Sequence, residues 1–223
     1  MTTTDSVVPI RDAATVILVR DPQSLPSILM GQRGKSAAFM PEKYVFPGGA
    51  VDVADASVTI DGLDTLTETR LKAHSQGRTP ATFAAAAIRE LWEETGQCLG
   101  SNAPWSAPAG WEGFAAKGLT PDASALRFFF RALTPPGRPR RFDARFFLAD
   151  ASALASDPDD FSEAEDELSH LHWVSMRDVR KLDLPFITQL VLAELEKHLP
   201  RIDAPDAVPF VKNDDMESQV IWL

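Results

Sequence analysis

The residues of this chain best suited to chemistry are three glutamates, Glu90, Glu93 and Glu94, in the run Arg89-Glu90-Leu91-Trp92-Glu93-Glu94-Thr95-Gly96. On a helix they stand at i, i+3 and i+4, so their carboxylates share one face. Like charges at that spacing cost an isolated helix about 0.2–0.5 kcal/mol per pair, a repulsion that a bound divalent cation offsets. Clustered carboxylate oxygens suit Mg2+ or Mn2+. Upstream, Phe46-Pro47-Gly48-Gly49 offers a sharp turn with no side chain to obstruct a metal or a phosphate. Carboxylate-held magnesium beside such a turn is equipment for cleaving phosphoanhydrides. A solvated helix face is the plainer reading of the same glutamates. Arg89, Gly96 and the Gly-Gly turn together weigh against it.

The elements that must carry these residues follow from patterning. Thr79-Pro80 reads as N-cap and first helical position, opening a helix through Ala84-Ala85-Ala86-Ala87 to Thr95, with Gly96 at the C-cap position. The alanines permit close approach to a sheet. Strands are expected at Ala14–Arg20, Ile28–Arg33, Tyr44–Phe46, Leu126–Leu133, Phe142–Leu148 and Leu171–Val174. Helices are expected at Leu63–Gln76 and Phe186–Leu199, and a short one at Met176–Lys181. Residues 1–12 read as an N-terminal arm, 13–200 as one domain and 201–223 as a tail ending in apolar Val220-Ile221-Trp222-Leu223. Residues 102–122 carry no clear period. Strands lying before, between and after helices predict an α/β (α+β) fold, a mixed β-sheet sandwiched between helices.

Composition narrows the function classes. The 223 residues are 44% hydrophobic and 24% charged, as in ordinary soluble domains. No apolar run reaches the roughly 18 residues that span a bilayer, and Met1–Asp12 lacks a signal-peptide pattern. Cys98 is the only cysteine, which makes a reducing cytoplasm the expected compartment. The net charge of −10 argues against long nucleic acid and anionic membranes as partners. It would also repel a phosphate substrate, so metal ions and local basic residues must reverse the sign at the site. One basic cluster, Arg138, Arg140, Arg141 and Arg145, reads either as a solvated turn or as a bidentate phosphate site. Arg33 and Lys35 carry the same two readings.

Gly-Gly followed by Arg-Glu-Leu-x-Glu-Glu-x-Gly resembles the Nudix hydrolase signature. That signature has Gly, five residues, Glu, seven residues, then Arg-Glu-apolar-x-Glu-Glu-x-Gly-apolar. Arg89, Glu90, Leu91, Glu93, Glu94 and Gly96 match it, and Gln97 stands where the last apolar residue belongs. The separation from Gly49 to Arg89 is abnormally long, and the position eight before Arg89 is Ala81, not glutamate. This split box is similar to a Nudix subgroup, the peroxisomal coenzyme A diphosphatase-like proteins, that carries an insertion there, at about residues 50–79 in this chain.

The resemblance implies a Mg2+- or Mn2+-dependent hydrolase of a nucleoside diphosphate linked to another group. Coenzyme A or acyl-CoA is the named substrate, with ADP-ribose, NADH and dinucleoside polyphosphates open. It implies Glu90, Glu93 and Glu94 as metal ligands with Gly49 beside them, and Arg89 as the residue orienting the carboxylates. Gly48, Gly49, Arg33, Arg140 and Arg141 would meet substrate. Asp52 and Asp55 are either turn residues or substitutes for the missing glutamate. Glu90, Glu163, Glu165 and Glu167 are the candidates for general base. A homodimer is compatible with the family. The alternative function is a nucleotide-binding sensor without hydrolysis, for which the missing acid at Ala81 and the long insert are the sequence arguments.

Overall fold

The computed structural model describes residues 8–213 and 217–223, apart from 36, 38, 74 and 76. In chain order its strands are β1 (Ile10–Arg20), β2 (Ser27–Arg33), β3 (Tyr44–Val45), β4 (Gly48–Ala50), β5 (Gly100–Asn102), β6 (Leu119–Pro121), β7 (Arg127–Leu133), β8 (Arg141–Asp150), β9 (Leu168–Ser175), β10 (Pro209–Asn213) and β11 (Ser218–Trp222). The α-helices are α1 (Thr65–Lys72), α2 (Pro80–Thr95), α3 (Glu112–Ala116) and α4 (Phe186–His198).

Among the described residues nine strands form one mixed sheet in the order β11-β10-β7-β8-β1-β2-β3, with β4 added to β1 and β9 to β2. Val16, Ile17, Leu18 and Val19 of β1 are fully buried, because both faces of the sheet are covered. Ala14, Val16 and Leu18 pack with Ala84, Ala87, Ile88 and Leu91 of α2. Ile17 and Val19 pack with Val191, Leu192 and Leu195 of α4 on the opposite face. The expected sheet between helices is therefore observed.

One irregularity positions the site. β1 pairs with β8 in parallel along one edge, Ile10 to Val19 against Arg141 to Asp150. Its other edge is shared between two partners. Val19 and Arg20 pair with β2, whereas Ala13, Ala14 and Thr15 pair with β4. The chain crosses into this gap at Pro47, whose carbonyl accepts from the Val16 amide at 2.9 Å. Gly48 and Gly49 thus enter the sheet in its middle, beneath α2.

Several segments differ from the sequence expectation. Of the expected arm, residues 1–7 lie outside the described residues, and Ile10–Asp12 belong to β1. The helix expected at 63–76 is shorter, because Asp64 caps it by accepting from the Leu66 and Thr67 amides; His74 and Gln76 of that span lie outside the described residues. The helix expected at 176–181 is a 3-10 turn, Val179–Lys181. The expected tail supplies β10 and β11, with Phe210 and Val211 pairing in parallel with Arg131 and Ala132 of β7. The insertion is woven into the domain. Val58 and Leu71 join the core, Thr67 Oγ1 accepts from the Phe128 amide of β7 at 3.3 Å, and Arg70 donates to the carbonyls of Pro205 and Asp206. Among the described residues no helix is long and apolar enough to cross a membrane.

Candidate active site

The helix that carries the glutamates forms for local reasons. Thr79 Oγ1 accepts from the Thr82 amide, Pro80 takes the first turn, and Gly96 ends the helix with φ of +74°. The alanine run and Ile88 and Leu91 bury one face, which leaves Glu90, Glu93 and Glu94 turned toward the Gly-Gly entry point.

Arg89 organises the carboxylates. Its Nε donates to Asp55 Oδ1 at 2.9 Å and its Nη2 to Asp55 Oδ2 at 3.1 Å, a two-pronged pair. Its Nη1 donates to Glu90 Oε1 at 2.9 Å and Glu93 Oε2 at 2.8 Å, and its Nη2 also reaches the Ala50 carbonyl at 3.0 Å. Burial would ease the proton off this guanidinium, but Asp55, Glu90 and Glu93 hold it charged. Asp55 itself has no exposed surface and accepts a further bond from the Asp52 amide at 2.7 Å.

This corrects the reading of Asp55 as a substitute metal ligand, since both its oxygens are committed to Arg89 and a backbone amide. It also corrects the missing acid. Counting back from Arg89 lands on Ala81, but counting forward from Gly49 through five residues lands on Asp55. The insertion therefore follows the acid, and the seven-residue spacer of the signature is enlarged to residues 56–88. Asp52 is exposed and serves the turn through its backbone.

The two glycines admit the glutamates. A Cβ on Gly49 would lie 2.5 Å from Glu90 Oε2, so only glycine lets that carboxylate rest on the backbone. Gly48 donates its amide to Glu94 Oε2 at 2.7 Å. Glu94 Oε1 is buried and has no hydrogen-bond partner. Burial, opposed by Arg89, pushes the Glu90 carboxyl up to about 7. Burial and then the charge of Glu90 hold Glu94 well above the usual carboxylate range, against the Gly48 amide. Glu93 is also raised, first by burial and less by Glu165 and Asp55.

The acidic loop 154–167 closes the far side. Glu165 donates its amide to the Glu93 carbonyl at 2.8 Å. Glu167 is delivered by β9, whose Leu168 pairs with Arg33 of β2, and Arg33 Nη1 meets Glu167 Oε1 at 3.2 Å. Arg33 lowers the Glu94 carboxyl electrostatically while Glu167 raises it and Glu90, so all four groups share one neighbourhood.

The basic cluster is divided. In a strand, residues 141, 143 and 145 share a face, and on that face Arg145 lies against Phe83 of α2. Arg145 donates to Asp12 Oδ1 at 2.5 Å and stacks over Phe83 at 4.1 Å, and Asp143 pairs with Arg131. Arg141 is buried and donates to the carbonyls of Thr134 and Asn213. Arg141 and Arg145 are thus spent on tying the sheet together, which corrects Arg141 as a substrate contact; Arg138 and Arg140 lie exposed in the turn before β8.

Among the described residues no three acidic, imidazole or thiol side chains already converge as a cation cage. Glu90 and Glu93 turn to Arg89 instead, and Glu94 to the Gly48 amide. The donor set nevertheless fits a hard divalent cation. Its members are carboxylates, one buried oxygen lacks any partner, and burial penalises their charged forms.

No family model matches the chain. A Caenorhabditis elegans protein named "Putative nudix hydrolase 7" is 28% identical over 191 aligned positions, which take in 75% of this chain and 52% of that protein. The chain thus spans about half the length of the curated relative it matches. The crystal structure of a NUDIX hydrolase from Alicyclobacillus acidocaldarius superposes with a TM-score of 0.61 at 27% identity, covering 84% of this chain and 91% of that one. The crystal structure of a MutT protein from Methanosarcina mazei Go1 superposes with a TM-score of 0.50 at 14% identity, covering 86% and 96%, a likeness of fold.

Proposed function

We propose that the chain, whose sequence and fold are similar to those of Nudix hydrolases, is a diphosphatase of that superfamily acting, with Mg2+ or Mn2+, on a nucleoside diphosphate linked to a second group. One observation carries the reading. Arg89 gathers Asp55, Glu90 and Glu93 around a single guanidinium, while Glu94 of the same helix turn binds the Gly48 amide.

When bound, the cation supplies Lewis-acid polarisation of the diphosphate and makes an attacking water more acidic. Glu90, Glu93 and Glu94 would hold it, with the Gly49 backbone alongside. Arg89 keeps Glu90 and Glu93 in one arrangement, and Asp55 keeps Arg89 from swinging away. Gly48 and Gly49 leave room for phosphate oxygens at the backbone. Arg33, half-buried at the end of β2, can exchange Glu167 for a phosphate oxygen and so counter the global charge. We assign Glu167 to accept the proton of the attacking water, because Glu90 would be among the residues that hold the cation. The lone cysteine keeps the reducing cytoplasm within this reading.

Coenzyme A or an acyl-CoA is the first substrate to test, on the ground of the insertion inside the box. Cleavage would give 3′,5′-ADP and a 4′-phosphopantetheine. The sensor alternative drew on the acid missing at Ala81 and on the long insert; the Asp55–Arg89 pair answers the first, and turnover is the test of the second. The test is incubation with coenzyme A, ADP-ribose, NADH and dinucleoside polyphosphates, with and without Mg2+, read by product mass. Metal-dependent scission of one phosphoanhydride supports the reading. Tight nucleotide binding without turnover on any of them returns the protein to the sensor class.

A further inference from the structure

We infer that Gln97 is a positioning residue that holds the acidic loop 154–167 against the end of α2, so that Glu165 and Glu167 face the box glutamates. This rests on the diphosphatase reading, and it concerns the one box position at which this chain departs from the apolar residue of the signature. Gln97 has no exposed surface. Its amide nitrogen donates to the Asp157 carbonyl at 3.1 Å and the Asp160 carbonyl at 2.7 Å. Its amide oxygen accepts from Ser156 Oγ at 2.8 Å, and Ser156 Oγ accepts in turn from the Cys98 amide at 3.0 Å.

A carboxamide is the group that can do this. It offers two N–H donors and one acceptor at the end of a side chain long enough to reach the loop centre. Leucine would strip the Asp160 carbonyl of its donor and the Ser156 hydroxyl of its acceptor and would leave the Asp157 carbonyl with the Asp160 amide alone, and glutamate would set a carboxylate against two carbonyls. Among the described residues the loop is also fastened elsewhere: Ala155 donates to the Cys98 carbonyl, Trp173 Nε1 donates to the Pro158 carbonyl at 2.9 Å, Arg20 pairs with Asp159, Lys117 pairs with Glu163, and Leu154 and Phe161 pack against the core. Beyond Asp160 the chain comes down onto α2, where the Glu165 amide meets the Glu93 carbonyl and Glu163 abuts Gly96. Gln97 thus fixes the height from which the loop descends, and β9 fixes where it ends.

The test uses Gln97→Leu and, as a milder change that removes one hydroxyl, Ser156→Ala. Hydrogen exchange of the metal-free proteins should accelerate at the amides of residues 155–166 by ~10-fold in Gln97→Leu and less in Ser156→Ala, with β8 unchanged. With Mn2+ and whichever of coenzyme A or ADP-ribose the wild type cleaves, kcat should fall ~10-fold while KM stays within about twofold. Unchanged loop exchange in both variants overturns the inference. So does a loosened loop with wild-type kcat. A wild type that cleaves neither probe refers the diphosphatase reading to the full substrate panel, where turnover of none counts against it, and the exchange comparison then decides the tether by itself. Should Gln97→Leu fail to fold, Ser156→Ala carries both measurements.

Discussion

Asp55 and Arg89 face one another through two parallel bonds, 2.9 and 3.1 Å, in a position closed to solvent. Removing one member of such a pair strands the other. Asp55→Ala should therefore cost about 3–5 kcal/mol in urea unfolding. It should also reduce kcat, because Arg89 would no longer be fixed over Glu90 and Glu93. A variant as stable as wild type would remove Asp55 from the role given to it.

Glu94 holds a buried oxygen with no partner and a carboxyl raised by burial. Glu94→Gln should leave the metal-free protein as stable as wild type or more so. The wild type should gain about 2.7 kcal/mol when the cation is present at 100 times its dissociation constant. The variant should lose most of that gain, and Glu93→Gln or Glu94→Gln should lower kcat by at least ~10²-fold. Thermal unfolding with and without Mg2+, beside steady-state rates, reads both. Equal metal response in variant and wild type contradicts the ligand assignment.

The paired glycines should behave differently. A Cβ on Gly48, where φ is +155°, meets the Ala14 carbonyl at 2.6 Å and the Thr15 backbone, neither of which can retreat. Gly48→Ala should cost about 1–3 kcal/mol of stability. The three atoms nearest a Cβ on Gly49 all belong to the end of the Glu90 side chain, which is flexible where a backbone is not. Gly49→Ala should fold nearly as well as wild type and lose activity, by ~10-fold or more. Denaturant midpoints and kcat for the two variants make the comparison.

Asp64 caps the insertion helix. Burial alone would raise its carboxyl, but Thr67, Arg127 and the Leu66 amide outweigh it, and the net shift is downward. A carboxyl lowered in the folded state contributes its stabilisation above the unfolded value near ~3.9 and loses it as pH falls through the folded value. Asp64→Ala should therefore cost about 1 kcal/mol at pH 7 and almost nothing once both proteins are acidified below the folded value. The difference in Tm at the two pH values tests this, and a difference that survives acidification would be evidence against it.

What could be read from the sequence was whatever depends on neighbours along the chain. α2 was legible with both its ends, because Thr79, Pro80 and Gly96 act within one turn of it. The apolar strands β1, β2, β7 and β8 were legible for the same reason. Asp55 stands six positions after Gly49, where the signature places its acid, but the insertion that follows it breaks the spacing to Arg89 and so hides the match. The fate of Arg141 and Arg145 was not available. Arg145 finds Asp12 across a parallel strand pair, and nothing local to either residue announces that partner. β10 and β11 were hidden likewise, because their place beside β7 is a matter of long-range pairing.

The division of one β1 edge between β2 and β4 has a consequence for the order of events during synthesis. Ala14 and Thr15 receive the glycine entry on one side and β8 on the other, more than a hundred residues later in the chain. Contacts so distant in sequence form slowly. A nascent polypeptide that has released only its first half from the ribosome holds every box glutamate and the Gly48-Gly49 entry, yet β1 still lacks β8 along its whole other edge.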